Sequence, residues 1–135
     1  MSWVRRHARW LLVGYSIFLA FALLSPSSSA QSGAVSRLSH LLIDAGIPWR
    51  VASYQHMELV MNAVIIIPLT FLASLVLPRW TWRDWTAWAF VGACLVEMVQ
   101  AIVLPGRDGA FSDVVANAVG GLLGALLARA LRNRR

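Results

Sequence analysis

Residues 59–77 read LVMNAVIIIPLTFLASLVL, an almost unbroken apolar run. A transmembrane helix needs about 20 mostly apolar residues, so this run is long enough to cross a bilayer. It holds Pro68 near its middle, where a helix of a soluble protein would usually break. Membrane helices tolerate such a proline because neighbouring groups can satisfy the carbonyl that it leaves free. The stretch therefore predicts a membrane-spanning helix.

Three further apolar runs give candidate spans at about residues 8–25, 86–104 and 113–131. The whole chain of 135 residues is 59% hydrophobic and only 13% charged, and its mean hydropathy is +0.64. This composition is too apolar for the surface of a soluble domain. The sequence therefore predicts an all-α integral membrane protein, a single domain over residues 1–135 built as a bundle of four transmembrane helices.

The first apolar run has two interpretations. Its basic start and the small-residue exit at residues 28–30 are typical of a cleaved signal peptide within residues 1–30. Trp3 and Trp10, which suit an interfacial position, favour a helix that is retained. We expect retention, and the orientation of the later spans is the same in both cases. After this run, apolar residues recur at helical spacing over about 35–45, which predicts a short extracytoplasmic interfacial helix.

The charges predict the orientation. The net charge of +6 comes entirely from arginine, because the chain has no lysine. These arginines flank the apolar runs and form no basic stripe with interleaved aromatic residues, so we expect no nucleic-acid partner. Cytoplasmic flanks of membrane helices collect positive charge. If both termini are cytoplasmic, most of the arginines lie on the cytoplasmic side. The arginines that lie outside are then Arg37, Arg50 and Arg107.

Several side chains within the predicted spans do not suit a lipid environment, where ionisable and amide groups are costly. Glu97 and Gln100 lie on one face of the third span. Asp113 and Asn117 begin a stripe on the fourth span, and Asn62 has a similar depth on the second. We expect these groups to converge near the outer surface, with Arg107 as the nearest cation. The predicted polar cluster consists of Asn62, Glu97, Gln100, Asp113 and Asn117.

The same stripe on the fourth span continues with small residues. Gly120 and Gly124 have the G-x-x-x-G spacing that lets another helix backbone approach closely. Cys94 lies inside an apolar run, where we expect a buried packing thiol.

The polar cluster allows three roles. Its members can satisfy one another structurally, bind a polar headgroup, or support acid/base chemistry with Glu97 as the candidate catalytic residue. Common nucleotide-binding, hydrolase and metalloprotease motifs are missing from the sequence. His40 and His56 lack metal-ligand spacing, so we expect no metal and no cofactor.

These residues resemble the VanZ-like membrane proteins. The resemblance spans residues 62–124, and the matching positions in chain order are Asn62, Pro68-Leu69, Glu97-x-x-Gln100, Pro105-Gly106-Arg107, Ser112-Asp113, Asn117-x-x-Gly120 and Gly124. Thr70 stands where that family commonly has glycine, which bears on how closely the second span can pack.

The resemblance implies a multi-span protein of the bacterial cytoplasmic membrane, in a family whose namesake is associated with resistance to the glycopeptide teicoplanin. The resemblance indicates the cellular location of the protein but implies no biochemical mechanism. We therefore expect a non-enzymatic protein of the cell envelope whose polar cluster binds a lipid headgroup, a lipid-linked cell-wall precursor or a glycopeptide, and which influences glycopeptide susceptibility. The rivals are a membrane enzyme acting on a lipid-linked substrate and a purely structural or assembly role.

Overall fold

The computed structural model describes residues 2–24, 29–103 and 111–134. This part of the chain is all-helical, as the composition predicted. The helices in chain order are α1 Ser2–Leu24, α2 Ser29–Asp44, α3 Trp49–Ala52, α4 Tyr54–Val76, α5 Trp82–Val103 and α6 Phe111–Asn133.

Three helices are long and apolar enough to cross a membrane: Tyr54–Val76, Trp82–Ile102 and Phe111–Asn133. They correspond to the second, third and fourth predicted spans. Helix α1 is not among the three, although it is 23 residues long and packs against α4. A fourth span along α1 therefore stays a prediction.

Large apolar side chains cover the outside of the helices. Trp10 and Phe21 on α1 are 74% and 76% exposed, and Ile102 on α5 is 75% exposed. Such surfaces are unfavourable in water but suit a hydrocarbon solvent. Cys94 also lies on an exposed face, of α5, so the expectation of a buried thiol is wrong. An apolar run in a membrane helix faces lipid as readily as protein.

Helix α6 is the centre of the described bundle. Of its spanning segment 44% is buried, against 11% for α5. A Cβ atom added at Gly120 would overlap the backbone carbonyl of Ala63 on α4, and one at Gly124 would overlap Thr70 Oγ1 and the Ile67 carbonyl. Only a residue without a side chain fits such close approach between helices.

Thr70 does not keep α4 away from α6. Its side chain is 3% exposed, and its hydroxyl donates to the carbonyls of Ile66 and Ile67 at 3.3 and 3.4 Å. The hydrogen-bonding capacity of the hydroxyl is thereby met by carbonyls of its own helix. The small residue at this crossing is Gly124 on α6, which leaves room for the threonine.

The proline of α4 lies inside a continuous helix, as its membrane setting allows. Tyr15 on α1 donates its hydroxyl to the Ile65 carbonyl of α4 at 2.6 Å. Pro68 has no N–H to donate to the Val64 carbonyl, four residues before it, and the Ile65 carbonyl is one residue further along the helix. The Tyr15 hydrogen bond therefore joins α1 to α4 close to the carbonyl that the proline leaves without a helical partner.

Helix α5 begins at Trp82, four residues before the start expected for the third span at about residue 86. Both the backbone N–H and the hydroxyl of Thr81 donate to the Asp84 carboxylate, at 2.7 and 2.8 Å. The Asp84 N–H in turn points to the Thr81 hydroxyl at 3.4 Å. This reciprocal arrangement is a capping box, and it starts the helix at this point.

Helix α2 begins at Ser29, before the position expected for the interfacial helix, and packs against α3 and α4. Gly46, with a φ of 91°, provides the turn that follows it. The buried Ser39 hydroxyl donates to the Ala52 carbonyl of α3, which fixes the two short helices to each other.

Candidate functional site

The two ends of the bundle differ in chemistry. The contacts of Gly120 with Ala63 and of Gly124 with Ile67 show that α4 and α6 run parallel. We call the end where α1 and α5 finish and α4 and α6 begin the polar end, and the opposite end the arginine end. The polar end takes its name from the predicted polar cluster and the arginine end from residues such as Arg132.

Gln100 is the member of the cluster with the best-defined contact. Its side chain is only 3% exposed, and its Nε2 donates to the Leu23 carbonyl of α1 at 2.7 Å. Leu23 lies in the last turn of α1, where carbonyls lack partners within the helix. Gln100 therefore caps α1 and joins the ends of α1 and α5.

The other cluster members in the described part of the chain come from three helices. Asn62 is half-buried on α4, Glu97 is half-buried on α5, and Asp113 and Asn117 are half-buried on α6. Asp113 is in the first turn of its helix, where a negative charge suits the helix dipole. Helix α6 already begins at Phe111, so Ser112 lies within the helix. Arg107 lies outside the described residues.

The packing of α6 on α4 sets the relative depth of the two asparagines. Gly120 is level with Ala63. Asn117 lies three residues before Gly120 on α6, and Asn62 lies one residue before Ala63 on α4. The two asparagines therefore differ in depth by less than about one helical turn. Convergence of the whole cluster stays a prediction.

A cavity of about 210 Å³ lies between α1, α4 and α5. Its walls are almost entirely apolar, with Leu19 and Leu23 on α1, Ile66 on α4 and Gly92 on α5 among them. Asn117 of α6 also lines it. This cavity could not be predicted from the sequence, because no residue pattern shows that α1 packs on α4 and leaves a gap beside α5.

The arginine end is held by a second side-chain cap. Arg132 Nη1 donates to the Ser74 carbonyl of α4 at 2.8 Å, and Ser74 lies in the last turn of that helix, where carbonyls lack helical partners. The Ser74 hydroxyl is buried and has no hydrogen-bond partner among the described residues. The cap fixes the ends of α4 and α6 to each other.

Aromatic residues surround the start of α5 at the same end. The ring of Trp80 lies 5.1 Å from that of Trp85 and 5.8 Å from that of Trp88. The Arg83 guanidinium lies 5.2 Å from the Trp82 ring, within cation–π distance. Tryptophan and arginine together are typical of a membrane–water interface.

Comparison with known proteins identifies the family. No curated protein and no solved structure matches the chain. No cluster of three metal-ligating side chains occurs among the described residues. The family model VanZ/LLP1 matches residues 10–132, nearly the whole length, and so extends over α1 and α2 as well as the polar cluster. The chain therefore belongs to the VanZ/LLP1 family of proteins.

Proposed function

We propose that this chain is a non-enzymatic protein of the bacterial cytoplasmic membrane that binds the headgroup of an amphiphile at its polar end. Candidate ligands are a membrane lipid, a lipid-linked cell-wall precursor and a lipophilic glycopeptide. One observation carries the proposal: amide and carboxyl side chains belong to the halves of α4, α5 and α6 nearest the polar end, and one of them, Asn117, lines the cavity between α1, α4 and α5.

Helical periodicity supports the link between cluster and cavity. Asn62 precedes Ile66 of the cavity wall by four residues, and residues with this spacing share one face of a helix. Asn117 itself lines the cavity. Glu97 follows Ala93, which lines the cavity on α5, by four residues and so shares its face of the helix. The polar groups therefore continue the apolar walls towards the polar end.

The distribution of arginines supports an outward-facing polar end. Helix α1 finishes at the polar end, so it starts at the opposite end, where α5 also starts and α4 and α6 finish. The arginines at that opposite end include Arg6, Arg9, Arg79, Arg83, Arg129, Arg132 and Arg134. Positive charge collects on the cytoplasmic side, so both termini are cytoplasmic in this proposal.

The chemistry of the cluster fits a polar headgroup. The side-chain amides of Asn62 and Asn117 offer both donors and acceptors, and the carboxyl groups of Glu97 and Asp113 accept hydrogen bonds when ionised. Hydroxyl, ammonium and amide groups of a headgroup match them. Arg107, placed at this end by the sequence analysis, adds a cation suited to phosphate or carboxylate.

A binding assay in nanodiscs tests the proposal. The probes are a lipid-linked cell-wall precursor incorporated in the disc and teicoplanin added to the solution. We expect Asn62→Leu and Glu97→Gln to weaken binding of at least one probe about tenfold, because each loses a hydrogen bond worth roughly 1–2 kcal/mol. The matched control is Asn133→Leu, an exposed asparagine at the far end of α6, which should leave the affinity unchanged.

The same samples separate the rival functions. Unchanged affinity for both probes in Asn62→Leu, Glu97→Gln and Arg107→Ala would refute headgroup binding. Conversion of the precursor, measured by mass spectrometry and abolished by Glu97→Gln in a folded protein, would identify an enzyme instead. If teicoplanin is the ligand, expression of the chain changes the susceptibility of cells to teicoplanin and expression of Glu97→Gln does not.

A further inference from the structure

The arginine end carries positive charge without matching negative charge. Asp84 is the one acidic residue among the described residues of this end, and its carboxylate already accepts two hydrogen bonds from Thr81. Arginines of α1, of α5, of α6 and of the turn before α5 lie at the same end. Like charges that gather on one surface repel each other. Anions from outside the chain can therefore stabilise this end.

Arg129 of α6 lies at the depth where α5 begins. A Cβ atom added at Gly121 would overlap the Cβ atom of Ala89, so these two residues are about level. Arg129 follows Gly121 by eight residues on α6, and the residue eight before Ala89 is Thr81. Because α5 and α6 run in opposite directions and rise equally per residue, Arg129 is about level with Thr81.

Three exposed arginines share this depth. Arg79 and Arg83 lie two residues before and two residues after Thr81, and Arg129 reaches the same level on α6. We call Arg79, Arg83 and Arg129 the basic cluster. Arg132 is not part of it, because its side chain is half-buried and donates to a carbonyl in the last turn of α4.

The chemistry of the basic cluster suits a phosphate group. The Arg83 guanidinium lies 5.2 Å from the centre of the Trp82 ring. A cation–π contact attracts the guanidinium to the ring face and uses none of its N–H donors for an oxygen. The planar guanidinium can then offer two parallel N–H groups to a phosphate, which accepts them in a bidentate arrangement.

The surface next to the basic cluster is apolar. Phe90, two turns after Arg83 on the same side of α5, is 41% exposed, and Leu126, one turn before Arg129 on α6, is 39% exposed. Tryptophans surround the start of α5, and this residue type is enriched at the level of the lipid headgroups. The basic cluster therefore lies where lipid-facing surface meets the headgroup layer.

We propose that the basic cluster binds the phosphodiester headgroup of an anionic phospholipid, such as phosphatidylglycerol, in the leaflet at the arginine end. Anionic leaflets attract groups of basic residues beside membrane helices. A lipid fits this surface better than an acidic protein does, because exposed apolar side chains continue from the arginines along α5 and α6. The site lies at the opposite end from the headgroup site of the proposed function and does not depend on it.

Competition between two lipids tests the proposal. The full-length protein in detergent receives equal amounts of dioleoylphosphatidylglycerol and dioleoylphosphatidylcholine, which share their acyl chains and differ in headgroup charge, and native mass spectrometry measures the ratio bound. We expect the wild type to bind phosphatidylglycerol saturably and in preference. The double variant Arg83→Gln/Arg129→Gln should reduce this preference about tenfold, because each basic residue at the surface adds to the attraction.

The matched control is Arg37→Gln/Arg50→Gln. It removes the same charge from two exposed arginines of the other end and should leave the preference unchanged. Arg83→Lys/Arg129→Lys keeps the charge and should keep most of the preference. Circular dichroism shows whether the double glutamine variant folds. If it does not, Arg79→Gln, in the turn before α5, provides the test by the same ratio.

The remaining outcomes decide against the proposal. A wild type without preference for phosphatidylglycerol refutes the lipid site and leaves an acidic protein as the occupant of the basic cluster. An equal preference in the wild type and the folded glutamine variants of the cluster also refutes it. If Asn62→Leu lowers the preference and the cluster variants do not, the anionic lipid binds at the polar end, so the headgroup site of the proposed function stands and this one fails.

Discussion

Replacing Gly120 by alanine tests how closely α6 packs against α4. The new methyl group would overlap the backbone carbonyl of Ala63, and a backbone carbonyl cannot move aside as a flexible side chain can. The helices must therefore separate locally by roughly 1 Å to reach ordinary contact distance. Gly124 lies one turn further along the same contact and would move with Gly120.

The size of the effect follows from this separation. A gap of 0.5–1 Å removes about a quarter to a half of each dispersion contact, and each atom pair contributes about 0.1–0.2 kcal/mol. The loss over roughly 20 to 30 atom pairs across this contact is then about 1–2 kcal/mol. Inserting a methyl group into a closely packed region typically costs about 1–3 kcal/mol, in agreement with this sum. We therefore expect a destabilisation of about 2 kcal/mol.

Reversible unfolding in mixed micelles of detergent and sodium dodecyl sulfate, followed by circular dichroism, measures the free energy of unfolding. Gly14→Ala is the reference variant, because a Cβ at Gly14 meets no atom within 4 Å. The gain in helix propensity from glycine to alanine is common to both variants. The difference between them therefore isolates the cost of the helix contact.

Equal free energies of unfolding for Gly120→Ala and Gly14→Ala would refute the close approach of α6 to α4. The neighbouring crossing gives a second check. Thr70→Gly should recover part of the loss caused by Gly124→Ala, because the added Cβ overlaps the Thr70 hydroxyl. The recovery should be incomplete, since the Ile67 carbonyl also stands in the way.

Three side-chain hydrogen bonds to backbone carbonyls give further predictions. Gln100→Leu removes the cap on Leu23 and should increase hydrogen exchange in the last turn of α1 about tenfold, for a hydrogen bond worth roughly 1–1.5 kcal/mol. Arg132→Ala removes the donor to Ser74 and should lower the free energy of unfolding by about 1–2 kcal/mol. Tyr15→Phe removes the hydroxyl that donates to the Ile65 carbonyl of α4. It should lower the free energy of unfolding by about 1 kcal/mol in the same assay.

Each of these variants has its own control. Arg134→Ala removes an exposed arginine next to the same helix end and should have little effect, so an equal loss would show that charge and not the cap is responsible. Tyr54→Phe removes the hydroxyl of an exposed tyrosine and should leave stability unchanged. Hydrogen exchange that rises equally at the end of α6 would contradict a local role for Gln100.

Periodicity and apolar length predicted helices and spans because both depend on residues close in sequence. A helix that crosses the bilayer requires a long apolar segment, and residues 59–77 form one that is visible in the sequence. The glycine spacing on the fourth span likewise indicated where a helix could approach. The same pattern could not show which helix approaches the glycines. A glycine lacks a side chain, but its position in the sequence does not identify the helix that packs against it.

The errors have a common physical origin. Cys94 was expected to be buried because it lies in an apolar run, yet in a membrane protein the solvent itself is apolar and hydrophobicity does not separate core from surface. The third span was expected to begin at about residue 86, but the Thr81–Asp84 capping box starts α5 at Trp82. The length of an apolar run does not show where a polar cap begins the helix. The hydrogen bond of Gln100 to Leu23, 77 residues away in sequence, could not be predicted from the position of Gln100 on its own helix face.

The central position of α6 has a consequence for how the protein is made. The surface of α4 around Thr70 and Ser74 emerges from the ribosome long before Gly124 and Arg132, which cover it, and the whole of α5 is synthesised in between. At a translation rate of about 5–20 residues per second, this surface waits several seconds for its partner. Helix α6, the third candidate span in chain order, therefore completes the packing of the two before it, and a chain that stops before α6 lacks the element on which both α4 and α5 assemble.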